Sequence, residues 1–316
     1  METFNVKVAS VREVATDIFE YVFEHPDKMD LPEFVPGAHI HVNVPTGDTR
    51  QYSLCNDPAD RSIYRIAIKR EDSGQGGSVS FVEQTKAGDL VGISVPCNDF
   101  ELKFDAEEII LIAGGIGITP ILCMAKVLER TKQVPCKVFY LTRDEKLTAY
   151  GDEIRNTSHA DVTIHHDHGD PSRSLDLVSL LSGDHSKSVI YCCGPTGLLH
   201  AVRSATSHWP KGSVRFEDFG TSTKAKDEDA FWVRVKGHDE RYLVPGDKSI
   251  LKVLQEVGLD MPSSCEAGTC GTCRMKLIAG EADHRDLVLF DDEMEDNIII
   301  CCSRAASGEI TIDFPD

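Results

Sequence analysis

Cys265-Glu-Ala-Gly-Thr-Cys-Gly-Thr-Cys273 is a stretch in which three cysteines are spaced C-x4-C-x2-C, and a further cysteine, Cys301, follows 28 positions later. The residues between the first three cysteines are mostly small. Glycine takes a positive φ without strain, so such a loop can fold tightly and turn its backbone N–H groups toward sulfur. The pattern therefore predicts a metal site with four thiolate ligands, Cys265, Cys270, Cys273 and Cys301.

This spacing is that of a plant-type [2Fe–2S] site. A zinc ribbon needs a second close cysteine pair, and the adjacent Cys301 and Cys302 do not form one. Either of these two can be the fourth ligand. We choose Cys301, because it follows the strand-like run Ile298–Ile300 and because plant-type ferredoxins place a small apolar residue after a ligand cysteine. An iron–sulfur cluster accepts one electron at a time, so the chain is predicted to deliver single electrons.

Composition limits the remaining classes of function. The chain has 316 residues, enough for two or three domains with their own cores. It contains no apolar run of about 18 residues and no signal-peptide pattern at its start, and its eleven cysteines fit a reducing compartment, so a cytoplasmic location is expected. The net charge of -19 argues against nucleic acid or an anionic membrane as a partner.

The negative charge is concentrated near the end of the chain. Residues 227–316 contain 20 acidic and 9 basic residues, so this segment carries 20 − 9 = 11 of the 19 net negative charges. The simplest interpretation is a solvated surface. The alternative is a face that docks a basic redox partner, because complementary charge speeds transient encounter.

The pattern of short elements divides the chain into three blocks and a linker. Residues 1–105 alternate apolar and polar residues in short runs such as His39–Val44, separated by Gly and Pro turns, which is typical of an antiparallel β-barrel or sandwich. Residues 106–222 begin with the continuous apolar run Glu108–Ala113, as a buried parallel strand should, and predict a doubly wound α/β domain. Residues 223–229 are polar and form a predicted linker, and residues 230–316 carry strands, a helix capped by Ser249 and the cysteine loop.

Helices and strands are expected at the following places. Strands are predicted at Asn5–Ala9, Tyr64–Lys69, Lys137–Leu141, Val162–Ile164, Ser188–Tyr191, Ala230–Val235 and Arg241–Val244, and helices at Ile121–Arg130 and Thr196–Thr206.

A glycine-rich turn directly follows the first strand of the α/β block. It reads Gly114-Gly115-Ile-Gly117-Ile-Thr119-Pro120, and such a turn before a helix lets backbone N–H groups approach a pyrophosphate. Pro120 is expected at the first helical position. Later in the block, Cys193-Gly194-Pro195 again places a turn after a strand. Two such turns at parallel strand ends are expected to flank one crevice.

A third set of residues lies in the first block. Arg50-Gln-Tyr52-Ser53 and Gly76-Gly77-Ser78 contain an arginine that can hold a phosphate, a tyrosine that can cover a flat ring and a Gly-Gly-Ser turn that can cradle a phosphate. Taken alone, these fragments fit ordinary turns and a core tyrosine as well as a flavin site.

Taken in order, these motifs resemble the phthalate dioxygenase reductase family over essentially the whole chain. The reductases of vanillate O-demethylase share the layout, and ferredoxin–NADP reductase is similar to the first two blocks. The resemblance implies a flavin-binding β-barrel over residues 1–105, a nicotinamide-binding α/β domain over 106–222 and an α+β β-grasp ferredoxin domain over 230–316.

The resemblance also implies roles for individual residues. Arg50, Tyr52 and Ser53 would hold FMN, with Gly76, Gly77 and Ser78 near its phosphate and Phe219 near its ring. Gly114, Gly115, Gly117 and Thr119 would line the nicotinamide cleft, with Gly194 and Pro195 closing it. Family members often have Arg before Gly-Gly-Ser, whereas this chain has Gln75, which leaves the phosphate contacts in question. Asp144 and Glu145 would repel a 2′-phosphate and Arg143 would attract one, so NADH is favoured over NADPH.

The implied function is that of a reductase component. Hydride passes from NADH to FMN, and single electrons pass through the cluster to a terminal Rieske oxygenase, which a monomeric reductase meets transiently by electrostatic docking. No catalytic side chain is named, because the cofactors supply the chemistry. The alternatives are an NADH-dependent reductase for a non-Rieske acceptor and a redox sensor, the latter having no use for a nicotinamide cleft.

Overall fold

The computed structural model describes residues 2–157, 159–183, 185–219 and 229–315. It divides into two compact units, Met1–Glu217 and Asp218–Asp316. The predicted linker at 223–229 lies outside the described residues except for Asp229. Within the described ranges, no helix has the length and apolar character needed to cross a membrane.

The first half of the first unit is an antiparallel sheet of six strands. They are β1 (Thr3–Ala15), β2 (Ile18–Glu24), β3 (His39–Asn43), β4 (Thr49–Ser53), β5 (Ile63–Lys69) and β6 (Leu90–Ser94), with helix α1 (Gly77–Gln84) between β5 and β6. The sheet order is β4-β3-β6-β1-β2-β5, and the edge strands β4 and β5 return beside each other, which curls the sheet into a barrel. Alternate residues of these strands, such as Val6, Val8, Ile40 and Val42, fill the barrel core. The predicted barrel is confirmed, whereas α1 was not expected.

The second half of this unit is a parallel sheet with helices between its strands. The elements are β7 (Glu108–Gly114), α2 (Ile118–Thr131), β8 (Cys136–Thr142), α3 (Gly151–Arg155), β9 (Ala160–His166), α4 (Leu177–Leu180), β10 (Ser188–Cys193), α5 (Thr196–Ala205) and β11 (Val214–Glu217). The order is β11-β10-β7-β8-β9 and all pairs are parallel. The chain therefore moves outward from β7 to β9 and then crosses back to β10. This places the switch point, where ligands bind in open α/β sheets, between β7 and β10.

The start of α2 differs from the sequence expectation. A short 3-10 helix covers Gly115–Gly117 and α2 begins at Ile118, so Pro120 is the third helical residue and not the first. Proline is still tolerated there, because the first turn of a helix has no intrahelical acceptors for its N–H groups.

The second unit is a mixed sheet with one packed helix. Its elements are β12 (Phe231–Val235), β13 (Arg241–Val244), α6 (Ile250–Glu256), β14 (Arg274–Ala279), β15 (Ala282–Asp283), β16 (Asn297–Ile299), β17 (Arg304–Ala305) and β18 (Glu309–Asp313). The main sheet has the order β13-β12-β18-β14-β16, and β15 pairs with β17. Apolar residues of α6 share one core with this sheet, as the β-grasp expectation requires. Ser249 caps α6 as predicted, its hydroxyl accepting from the Lys252 N–H at 3.2 Å.

Candidate functional site

Arg50 on β4 lies at the N-terminal end of α1. Its guanidinium packs so closely on Gly77 that a Cβ on Gly77 would come within 2.8 Å of the arginine Nε. Nη2 donates to Gln75 Oε1 at 3.1 Å and to Asp48 Oδ2 at 3.2 Å. Arg50 and Gly77, which were both predicted to bind a phosphate, are therefore in contact. The hydrogen bonds of Arg50 to Gln75 and Asp48 were not predicted.

The Gly-Gly-Ser segment begins a helix and is not only a turn. Gly76 is the N-cap of α1 with a φ of 80°, and Gly77 and Ser78 form its first turn. The Ser78 hydroxyl accepts from the backbone N–H of Glu71 at 3.1 Å and so holds the preceding loop. The N–H groups of a first helical turn and the helix dipole both favour an anion. Together with Arg50 they form a cradle whose donors and charge suit a phosphate.

Tyr52 and Ser53 complete the β4 strand. Tyr52 is half-buried against the barrel core, and burial raises its pKa to about 12, so its hydroxyl stays protonated. Ser53 is buried, and its hydroxyl donates to Glu217 Oε2 at 3.2 Å. The same carboxylate oxygen accepts from Cys193 Sγ at 3.7 Å. The end of β4 thus meets the ends of β10 and β11.

Glu217 and Cys193 were not among the predicted site residues. Both lie next to motifs that were visible in the sequence: Cys193 directly precedes Gly194, and Glu217 lies two residues before Phe219. The sequence signal for both residues was their position at the end of a strand. Only the structure shows that Glu217 is buried and that two side chains donate to its carboxylate. A buried carboxylate with such partners marks this junction as the candidate centre of the first unit.

The two glycine turns pack directly on each other at the switch point. A Cβ on Gly117 would lie 2.2 Å from the carbonyl oxygen of Cys193, and one on Gly114 would lie 2.7 Å from Pro195 Cδ. Only glycine permits this approach, so the turns after β7 and β10 meet at the end of the sheet where the sequence predicts a crevice. Gly115, with a φ of 54°, lies in the first of these turns.

Thr119 and Arg143 lie at the same edge of the sheet in different environments. Thr119 is buried and its hydroxyl donates to the Ile116 carbonyl at 3.1 Å, so its role here is to hold the turn. Arg143 is exposed directly after β8. Asp144 caps the next short helix by accepting from the Lys146 N–H at 2.9 Å, which keeps an acidic group beside Arg143.

Phe219 lies outside the unit that contains the β4 strand. It is half-buried and belongs to the second unit, whereas β4 belongs to the first. Its place near a flavin ring stays a prediction.

The four predicted cysteine ligands lie in the second unit as two pairs. The Cys265 side chain hydrogen-bonds Cys270, and Cys273 hydrogen-bonds Cys301. In the described part of the chain, no three His, Cys, Asp or Glu side chains gather tightly enough to hold one metal ion. Two thiol pairs suit two iron ions with two thiolates each, and they do not suit a single tetrahedral zinc.

Donors of the cysteine loop are directed at sulfur. The Ala267 N–H donates to Cys265 Sγ at 3.4 Å, and hydrogen bonds from the Cys270 thiol, from Thr269 and from that N–H lower the pKa of Cys265 to about 5 although burial opposes the shift. Gly268 and Gly271 have φ angles of 74° and 79°, as the sequence predicted. The loop therefore has the backbone path and the donors that a thiolate-bound cluster needs.

The neighbouring thiols Cys301 and Cys302 have different partners. Cys301 is buried and contacts Cys273, whereas Cys302 is half-buried and donates to the Ile299 carbonyl at 3.7 Å. A Cβ on Gly268 would lie 2.6 Å from Cys302 Sγ, so the Cys302 thiol packs directly against the backbone of the cysteine loop. This division agrees with Cys301 as the fourth ligand.

The loop is also tied to the segment that precedes the acidic run. The Leu287 N–H donates to the Gly268 carbonyl at 2.9 Å, and the buried Asp286 accepts from the N–H groups of Val288 and Leu289 at 2.9 and 2.7 Å. The exposed acids begin a few residues later and include Asp291, Asp292, Glu295 and Asp296. Negative charge therefore lies next to the cysteine loop along the chain.

Two family models match the chain. The model described as an oxidoreductase FAD-binding domain matches residues 5–102, and the model described as a 2Fe-2S iron-sulfur cluster binding domain matches residues 233–306. The first match covers the barrel with the Arg50 cradle, and the second covers the cysteine loop.

Similar proteins span the whole chain. Phthalate dioxygenase reductase of Burkholderia cepacia is 46% identical over 98% of this chain and 97% of its own length. A solved structure of a phthalate dioxygenase reductase, described as modular for electron transfer from pyridine nucleotides to [2Fe-2S], has a TM-score of 0.72 at 45% identity and covers 99% of this chain and 98% of its own. An intact type IV self-sufficient cytochrome P450 monooxygenase gives a TM-score of 0.71 at 31% identity, with 98% of this chain matching 41% of that one.

Proposed function

Because the chain belongs to the phthalate dioxygenase reductase family, we propose that it is the NADH-dependent reductase component of a two-component Rieske-type oxygenase. It is an oxidoreductase with flavin-binding and 2Fe-2S domains. The observation that carries the proposal is the contact of Ser53 with Glu217, which brings the strand of the flavin barrel to the crevice between the glycine turns.

The flavin in this proposal is FMN. Arg50, Gly76, Gly77 and Ser78 lie together at the start of α1. They would bind one phosphate, and FMN has one terminal phosphate. Tyr52 would cover the ring, and Ser53 would hydrogen-bond its edge. The family resemblance implies that Phe219 is a further flavin residue.

The nucleotide in this proposal is NADH. Gly114, Gly115 and Gly117 would line its cleft, with Thr119 holding the turn and Gly194 and Pro195 forming the opposite wall. Asp144 and Glu145 flank Arg143 and add negative charge where NADPH would carry a 2′-phosphate, which favours NADH.

The bound cofactors supply the electron chemistry: a flavin takes two electrons as hydride and releases them singly, and a [2Fe–2S] cluster carries one electron at a time. The residues of the chain orient the reactants. Glu217 is only 6% exposed, and it fixes the Ser53 hydroxyl and the Cys193 thiol at the junction of the two domains. Burial at this junction would keep water away from a flavin and a nicotinamide bound beside it.

The cluster ligands in this proposal are Cys265, Cys270, Cys273 and Cys301. Cys265 and Cys270 are half-buried, whereas Cys273 and Cys301 are buried. The first pair is therefore nearer to solvent and would be the side from which an electron leaves.

The partner in this proposal is a terminal Rieske oxygenase that docks transiently on the acidic surface near residues 291–296. Exposed acids next to the cysteine loop would attract a basic face and speed encounter without a permanent interface. The reductase itself would be a monomer.

A Cys270→Ser variant tests the order of electron flow. We expect NADH to reduce the flavin at the wild-type rate and electron delivery to an external one-electron acceptor to be lost, because serine is a poor iron ligand. Rapid-mixing absorption follows the flavin, and cytochrome c reduction follows delivery. Cys97→Ser, the same change at a half-buried thiol of the barrel, is the control and should keep both steps. Loss of flavin reduction in Cys270→Ser would contradict the order.

A second candidate is a reductase for a non-Rieske acceptor. The self-sufficient cytochrome P450 monooxygenase described above favours it, because 98% of this chain matches part of a protein that is named as a P450 monooxygenase. Mixing the reduced chain with Rieske and haem oxygenase components separately distinguishes the two.

A further inference from the structure

A second set of contacts joins the barrel to the α/β half of the first unit, and the chemistry described above does not use it. Its centre is Arg65 on β5, whose side chain is 13% exposed. Arg65 Nη2 donates to Glu153 Oε1 on α3 at 2.9 Å and to the Cys55 carbonyl at 3.1 Å. The guanidinium also stacks over the Tyr150 ring, with 5.0 Å from Cζ to the centroid. We call the Arg65–Glu153 contact the interdomain bridge.

Lys126 of α2 makes the bridge a three-way connection. Its Nζ lies 2.5 Å from Glu153 Oε1, and it donates to the Cys55 carbonyl at 3.4 Å. Cys55 comes two residues after Ser53, and α2 starts directly after the glycine turn. The bridge therefore connects the segment after β4, the strand that carries Arg50, Tyr52 and Ser53, to helix α2, which follows the glycine turn.

Arg65 and Glu153 each have a second charged partner. Arg65 Nη1 lies 3.6 Å from Glu20 Oε2, and Glu20 in turn accepts from Arg12 at 2.9 Å. Although burial opposes the shift, hydrogen bonds from Arg65 and Lys126 hold the pKa of Glu153 below its ordinary value. Glu153 is therefore an anion at neutral pH, and it is the carboxylate that joins both cations across the domain boundary.

The backbone of Tyr150, next to the bridge, has a strained left-handed conformation. Tyr150 has a φ of 58° at the N-cap of α3, although it is not glycine, and its ring is buried under Arg65. A left-handed backbone is unfavourable for a residue other than glycine, and it persists where the surroundings determine it. The ring stacked on Arg65 and the Cys55 thiol, which donates to the Tyr150 hydroxyl at 3.9 Å, are those surroundings.

We propose that Arg65, Glu153 and Lys126 are positioning residues. They fix strand β4 of the flavin barrel relative to the nucleotide crevice and so set the rate of hydride transfer. The inference rests on the proposed function, because it assigns the bridge to the same reaction. None of the three belongs to the phosphate cradle or the glycine turns. Loss of the bridge should therefore loosen the geometry of the reacting groups and leave the affinity for NADH nearly unchanged.

The variant Glu153→Gln removes the bridging charge and keeps the shape. Arg65 retains Glu20 as a counter-ion, and the Glu153 side chain is 35% exposed, so the protein should remain folded. The matched control is Glu33→Gln, which breaks the exposed Arg61–Glu33 pair within the barrel. Anaerobic rapid mixing gives the limiting rate constant of flavin reduction and the dissociation constant of NADH separately.

We expect Glu153→Gln to lower the limiting rate constant about tenfold, since small misplacement of reacting groups costs up to about a hundredfold. The dissociation constant should change less than about twofold. Glu33→Gln should change neither. A limiting rate constant of Glu153→Gln close to that of the control, or a loss confined to NADH affinity, would overturn the proposal.

Amide hydrogen exchange gives a readout that does not depend on any cofactor reaction. We expect faster exchange in Glu153→Gln at residues 53–57 of the barrel as well as in α3, and no such change in Glu33→Gln. Faster exchange in α3 alone would show a local role and refute the bridge. If NADH fails to reduce the wild-type flavin, the proposed function fails, and the exchange result still decides whether the bridge exists.

Discussion

At the scale of single residues, the first unit is organised around Arg50 and Glu217. Arg50 is held by Gln75 and Asp48 beside the start of α1, and Glu217 holds Ser53 and Cys193 at the domain junction. Under the proposed function, Arg50 would bind the flavin phosphate, and Glu217 would orient the groups at the domain junction.

Gln75→Arg tests the phosphate cradle. A second guanidinium beside Arg50 should stabilise bound phosphate by about 1 kcal/mol, which is about a fivefold tighter FMN dissociation constant. Fluorescence titration of the flavin-depleted protein with FMN measures it. Gln84→Arg places the same charge at the other end of α1 and should leave the affinity unchanged. Equal affinities of Gln75→Arg and the wild type would place the phosphate elsewhere.

Cys301→Ser and Cys302→Ser form a matched pair that tests the fourth ligand. Cys301 faces Cys273, whereas Cys302 packs on Gly268. We expect Cys301→Ser to lose the visible absorption and most of the iron of the cluster, and Cys302→Ser to retain both. The opposite outcome would assign the ligand to Cys302.

Sequence patterns could predict the motif residues but not their long-range partners. The cysteine spacing, Arg50 and the glycines were visible because each lies in a short local pattern. Ser53 and Glu217 are 164 positions apart and Arg65 and Glu153 are 88 apart, so no local pattern connects them. Such contacts arise only when the barrel packs on the α/β sheet.

At the scale of elements, the crevice depends on β7 and β10 lying side by side. The apolar run of β7 predicted a buried parallel strand, and six of its seven residues are fully buried. The adjacency of β10 follows from the reversal of strand order and was expected from the second Gly-Pro turn. Helix α1 was missed because Gly76-Gly77 reads as a turn, and the helix is only eight residues long.

Gly117→Ala tests the packing of the two turns. A methyl group would meet the Cys193 carbonyl at 2.2 Å, so the turns must separate, at a cost of about 1–3 kcal/mol in the free energy of unfolding. Urea unfolding measures the loss, and the KM for NADH should rise with it. Gly197→Ala on α5 meets nothing within 4 Å and should be neutral or slightly stabilising. Equal stability of the two variants would contradict the close packing.

At the scale of the whole molecule, one chain combines a flavin-binding barrel, a nucleotide crevice and an iron–sulfur domain. The family models and the full-length relatives support this combination. Periodicity predicted the first two domains, since short alternating runs indicate an antiparallel barrel or sandwich and a continuous apolar run indicates a buried parallel strand, whereas the β-grasp fold of the third domain was expected from the family resemblance. The acidic charge of residues 227–316 was visible in the sequence, and the structure shows that Asp291, Asp292, Glu295 and Asp296, which follow the cysteine loop along the chain, are exposed.

An anaerobic absorption titration with NADH tests the central claim most directly. A flavin takes two electrons and a [2Fe–2S] cluster takes one, so about 1.5 equivalents of NADH should bleach both chromophores completely. The account predicts that flavin and cluster bands both disappear with this stoichiometry. Bleaching of the flavin alone at one equivalent, with an unchanged cluster spectrum, would contradict the account that electrons from NADH reach the cluster.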